Sequence, residues 1–186
     1  LRDLDLQLIT VLETHVHADH VTAASALREK TGAQIAVSHL GGKGADRYLK
    51  EGDTVVVGTV TLEVLETPGH TSDSLCFALP DRVFTGDTIL FRRTGRSDFQ
   101  NGDAGALYDS VTQKLYTRRD ETLLYLGHDY EGFTVSTVGE EKRLSSVATR
   151  SREEFIAYMD AMDRPKPGRF DIAVPANLHL GSPPRK

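Results

Sequence analysis

Between positions 15 and 20 the chain reads His15-Val-His17-Ala-Asp19-His20, four side chains able to hold a metal ion within six residues. In an extended segment residues i and i+2 point to the same side, so His15 and His17 can face one ion, while Asp19 and His20 fall in the following turn. Three further patches have the same character: Pro68-Gly69-His70-Thr71, Thr85-Gly86-Asp87-Thr88 and Gly127-His128-Asp129-Tyr130. In each, a glycine beside the polar residue permits tight backbone geometry just after an apolar run. Neutral imidazole and carboxylate suit Zn, Fe or Mn. Cys76 is the one cysteine among 186 residues, which excludes an internal disulfide framework and a thiolate-built zinc cage. A lone histidine at a strand end is more often a hydrogen-bonded structural residue than a ligand, and His39 and His179 are read that way. Four patches together reverse that expectation for the other five histidines.

The elements that would position these patches follow from hydropathy and turn chemistry. Leu6 to Glu13 reads as a buried strand that delivers the first cluster. Thr22 to Thr31 is rich in helix formers and stops at Gly32, and Gln34 to Ser38 reads as a short strand, completing a strand, helix, strand unit. Val55 to Val57 and Val60 to Glu66 form one expected hairpin through Gly58. Ser74 to Leu79 and Arg82 to Thr85 form another, turning at Pro80 and Asp81. Cys76 lies inside that apolar strand pattern and reads as core. A helix is predicted from Asp103 as N-cap to about Tyr116, because Leu107, Val111 and Leu115 recur every four residues on one face. Thr122 to Leu126 is an apolar strand, and Ser151-Arg-Glu-Glu154 has capping-box spacing ahead of a last helix that Pro165 and Pro167 should end. No repeat or Gly/Ser linker appears, so a single layered domain over residues 1–186, α/β or α+β, is expected.

Composition narrows the function. Lys and Arg number 22 against 27 Asp and Glu, a formal charge of −5, which is the wrong sign for a general nucleic-acid or anionic-membrane binder. No apolar run approaches the roughly 20 residues of a membrane helix. Residue 1 is Leu, with no positively charged or apolar leader after it, so the chain reads as cut into rather than begun.

THVHADH, TPGHT, TGDT and GHDY, in that order and after strands, resemble the metallo-β-lactamase superfamily. The resemblance implies a four-layer αββα sandwich with a metal site along one edge of its two sheets. Only fourteen residues precede His15, so the sandwich is expected to lack its N-terminal strands in this chain. Two ligand sets then compete. In one, His15, His17 and His70 hold one metal and Asp19, His20 and His128 a second, with Asp87 bridging. Such a pair of Zn ions would drive thioester hydrolysis of the glyoxalase II (hydroxyacylglutathione hydrolase) kind. In the other, His15, His70 and Asp87 alone hold one Fe(II), the two-His, one-carboxylate set of non-haem oxygenases.

Other segments separate the two. Gly95-Arg-Ser-Asp-Phe-Gln100 and His128-Asp-Tyr-Glu-Gly-Phe-Thr-Val-Ser-Thr-Val138 resemble the persulfide (sulfur) dioxygenases, as does the tail through Pro165, Pro167 and Phe170 to Asn177. By that resemblance the substrates are glutathione persulfide and O2, the products sulfite and glutathione, and the cofactor one Fe(II) per chain. His17, Asp19, His20 and His128 would then orient ligands and bound water by hydrogen bonds. Tyr130 and His128 would act on the reacting group, and Arg96 would contact a glutathione carboxylate. Arg92 and Arg93 could assist, although adjacent arginines are usually solvated. A metal-binding module without catalysis is disfavoured, because nothing resembles a closed four-ligand cage. No nucleic-acid or membrane partner is expected. A homodimer rests on the resemblance alone; by the same resemblance a bacterial cytoplasmic or a mitochondrial matrix location is implied, and the former is expected because no leader is visible.

Overall fold

β1 (Thr10–Leu12), α1 (Ala24–Thr31), β2 (Gln34–Ser38) and β3 (Arg47–Leu49) open the computed structural model, which describes residues 1–182. Residues 1–49 and 164–182 form one compact unit, and residues 50–163 another. In the first unit the strands pair in parallel in the order β1-β2-β3, with Thr10 opposite Gln34 and Ala36 opposite Arg47. The strand expected from Leu6 is confined to Thr10–Leu12. Among the described residues β2 is the strand beside β1; it begins at Gln34, opposite Thr10, and the Gln34 N–H donates to Ile9 O at 3.0 Å, beyond which the pairing stops, and Leu6 and Ile9 stay exposed. The predicted helix starts two residues later than Thr22, whose Oγ1 accepts the Ala24 N–H at 3.1 Å, and it ends as predicted at Gly32 in the left-handed conformation, φ 76°. β3 is a three-residue edge strand with two exposed positions, too short to show a period in sequence.

The second unit is built on β4 (Thr54–Val57), β5 (Val60–Glu66), β6 (Leu75–Ala78), β7 (Arg82–Gly86), β8 (Leu123–Leu126) and β9 (Val135–Thr137), adjacent in that order. All neighbours are antiparallel except β7 and β8. The parallel crossover carries α2 (Ala104–Ser110), capped by the Asp103 side chain on Ala106 N–H, and a wider π turn over Val111–Leu115. Leu107, Val111 and Leu115, the predicted face, are fully buried in one cluster with Val83, Leu124, Val138 and Phe155. α3 (Val138–Leu144) follows β9 without a loop, and α4 (Arg152–Asp160) has the predicted capping box between Ser151 and Glu154. In the first unit α5 (Phe170–Asn177) forms where the sequence offered only a family-like tail. Among the described residues no helix is long and apolar enough to cross a membrane.

Candidate metal centre

Strand direction gathers three of the four patches. β5, β7 and β8 run the same way, because β5 is antiparallel to β6, β6 to β7, and β7 is parallel to β8. The residues just past their C-terminal ends, His70, Asp87 and His128, therefore arrive at one end of the sheet. Asp87 Oδ2 lies 3.6 Å from His70 Nε2 and 3.4 Å from His128 Nε2. The His70 and Asp87 side chains are largely buried.

The groups behind these side chains aim them. His70 Nδ1 sits 2.6 Å from the carbonyl oxygen of Arg96, an acceptor only, so Nδ1 carries the proton and donates. In the neutral ring Nε2 is then a lone pair facing a carboxylate. Two acceptors in that relation are satisfied by a cation between them, either a metal ion or the extra proton of an imidazolium. The donor set thus fits a metal such as zinc or iron.

Close backbone approach is possible because two neighbours lack side chains. A Cβ on Gly127 would come 2.5 Å from Asp87 Oδ1, and one on Gly95 would come 2.4 Å from the Asp87 carbonyl oxygen and 2.8 Å from His70 Nδ1. Behind the His70 turn, Ser110 Oγ donates to Pro68 O at 2.7 Å and Asp103 N–H to Gly69 O at 2.9 Å, which fixes the loop on α2.

Arg96 serves this site through its backbone. Its guanidinium donates to both oxygens of Asp98 at 2.6 Å and lies 4.5 Å from the Phe99 ring centroid, and the Asp98 carboxylate holds its pKa above the ordinary value. Tyr130 is 68% exposed and stacks on His128, with centroids 5.5 Å apart. Arg92 and Arg93 each have a carboxylate partner, Glu140 and Glu131 respectively. Cys76 is fully buried against Thr67, and burial pushes its thiol pKa up, so it belongs to the core as read.

The first cluster occupies the loop between β1 and α1. His15 is buried, with Thr14 Oγ1 3.0 Å from its Nδ1, and its ring lies 4.2 Å from that of His17, as alternation along an extended segment requires. His17 Nε2 faces Glu13 Oε2 at 3.2 Å, and its Nδ1 is buried without a hydrogen-bond partner. Donor atoms of His17, Asp19 and His20 all lie within 4.8 Å of one another. The fastening residue is Asn177 of α5, which sequence reasoning missed. Its Nδ2 donates to the carbonyls of His17 and His20, both at 2.8 Å, and its Oδ1 accepts the Thr22 N–H at 2.9 Å. No local signal could reveal this, since 160 residues separate Asn177 from His17.

A fold in which metal-type side chains collect past strand ends defines a class. A family model described as the metallo-beta-lactamase superfamily matches residues 1–128, and the chain belongs to that superfamily. The mouse protein named "Persulfide dioxygenase ETHE1, mitochondrial" is 46% identical over 184 residues, covering 97% of this chain and 72% of that protein. The crystal structure of ETHE1 from Myxococcus xanthus superposes with a TM-score of 0.95 at 53% identity, over 97% of this chain and 80% of that one. A hydroxyacylglutathione hydrolase from a Polaromonas strain is 40% identical over 131 residues, covering 67% of this chain and 49% of that protein. Within the superfamily the chain is an oxidoreductase of the persulfide dioxygenase family.

Proposed function

We propose that the protein oxidises glutathione persulfide with O2 at a single Fe(II) held by His15, His70 and Asp87. The observation that carries this reading is the extent of the likeness. The dioxygenase match runs over 184 residues and includes Gly95 to Gln100 and His128 to Val138, whereas the hydrolase match spans 131. The balance is one persulfide, one O2 and one water giving sulfite, glutathione and two protons. When bound, ferrous iron on a two-His, one-carboxylate set supplies the redox chemistry between O2 and the terminal sulfur.

The chain's own residues bind and orient. The Arg96 carbonyl fixes the His70 tautomer, leaving Nε2 as the donor atom. Asp87 supplies negative charge on an oxygen that two imidazoles flank. Tyr130, stacked on His128, presents its hydroxyl from an exposed position where it can donate to the substrate's sulfur or hold a water. Arg96 is the proposed contact for a glutathione carboxylate, in exchange for part of its pairing with Asp98.

The cluster of His17, Asp19 and His20 is the feature that would favour a second reading, a two-zinc thioester hydrolase. Metal analysis and an oxygen electrode separate the two. About one iron per chain and O2 uptake with sulfite release from glutathione persulfide are expected. Two zinc ions per chain with hydrolysis of S-lactoylglutathione and no O2 uptake would overturn the dioxygenase assignment.

A further inference from the structure

Two loops border the Asp87–His128 pair, and their side chains meet. The first follows β7 and folds back on itself, Leu90 N–H donating to Arg93 O at 2.8 Å and Arg93 N–H to Leu90 O at 3.2 Å. Between them Arg92 takes a left-handed conformation, φ 56°. α3 anchors this turn: the Glu141 carboxylate accepts the Arg92 N–H at 3.0 Å, and Glu140 takes the Arg92 guanidinium at 2.9 Å. The second loop follows β8 and winds around one oxygen, Asp129 Oδ1, which accepts the N–H groups of Glu131, Gly132 and Phe133 at 2.9, 2.6 and 2.9 Å.

Each loop is thus stiff by itself, and two contacts set their register. The Arg93 guanidinium pairs with the Glu131 carboxylate, and the rings of Phe91 and Phe133 stack at 4.1 Å and 11°. Arg93 and Glu131 also line, with His128 and Tyr130, a void of about 10 Å³, room for roughly one water.

We propose that Arg93 and Glu131 are positioning residues for the reaction, their ion pair holding the loop of His128 and Tyr130 in register with the loop that follows Asp87. The inference rests on the dioxygenase reading. The pair is 39% and 48% exposed, and ion pairs of that kind add little to stability, so a role in positioning can be separated from a role in folding. A misplacement of about 1 Å at a reacting centre can cost on the order of a hundredfold in rate.

The test compares iron-loaded wild type with Arg93→Glu, Glu131→Arg and the double exchange. Each single variant is expected to keep iron content and thermal midpoint while kcat/KM for glutathione persulfide falls about tenfold or more. Hydrogen exchange across residues 128–133 should quicken in both. The double exchange should recover most of the loss and slow the exchange again. Single variants at wild-type kcat/KM, unchanged exchange in 128–133, or a double variant as impaired as the singles would each overturn the proposal. If wild type itself takes up no O2 with the persulfide, the functional reading fails, and the exchange measurements still decide whether the pair sets the loop.

Discussion

Glycine has a specific duty at Gly95. Its N–H donates to the Asp87 carbonyl at 2.9 Å, so this backbone cannot retreat without breaking that bond, and the other neighbour is the His70 ring, tied through Nδ1 to Arg96 O. A methyl group placed 2.4 Å from one and 2.8 Å from the other has to displace a proposed ligand. Gly95→Ala is therefore expected to weaken metal binding by about tenfold to a hundredfold, the usual cost of disturbing the partners of a ligand, with far-UV circular dichroism unchanged. Metal titration checks this, and wild-type affinity would show that the backbone gives way cheaply. The metal-type residues were legible in sequence because ligand chemistry belongs to the side chain and strand ends can be read from hydropathy. The use of Arg96 was not, because the atom that matters is its carbonyl oxygen, a group every residue carries. Arg92 and Arg93, read either as helpers of Arg96 or as a solvated pair, stay partly exposed and pair with Glu140 and Glu131, contacts that depend on loops approaching in space.

Elements with strong periodicity or explicit caps were found at nearly their true limits: β2, the hairpin of β4 and β5, and the capped start of α4. β9 and α3 escaped because three strand residues pass directly into a helix, with no turn residue to mark the change. That junction buries a charge-bearing group, Glu141, which is fully covered and accepts hydrogen bonds from Ser136 Oγ at 2.7 Å and from the Arg92 N–H. Burial raises its pKa above the usual 4.5, partly offset by those two donors. With the folded value above the unfolded one, its contribution to stability is fully present below about pH 4.5 and is lost as pH rises through the folded value. Glu141→Gln removes this dependence. The variant should match wild type near pH 4 and become the more stable of the two toward neutrality, measured by denaturant titration at a series of pH values. Parallel curves for the two proteins would refute it. The carboxylates with lowered pKa values, Asp46, Asp81, Asp120 and Glu154, act at lower pH and cancel in the comparison.

At the scale of the whole molecule, the chain carries a net charge of −5, and among the described residues no helix is long and apolar enough to cross a membrane. The proposed ligands His15, His70 and Asp87 stand far apart along the chain, so an unfolded chain cannot present them together. Metal should consequently bind the native state alone, and binding of that kind stabilises by RT ln(1 + [M]/Kd), about 2.7 kcal/mol at a free metal concentration one hundred times Kd. Chelation is expected to lower the unfolding midpoint of wild type by a corresponding amount, with the midpoint rising again as the logarithm of added Fe(II) under anaerobic conditions. Asp87→Ala lacks the carboxylate that His70 and His128 flank, so its midpoint should not respond to chelator or to iron, and its dioxygenase activity should be absent. This outcome separates a metal that is built into the fold's energetics from one that merely adheres to exposed imidazoles such as His20, which the substitution leaves intact. A wild-type midpoint indifferent to chelator, or an Asp87→Ala protein that responds as wild type does, would remove Asp87 from the ligand set.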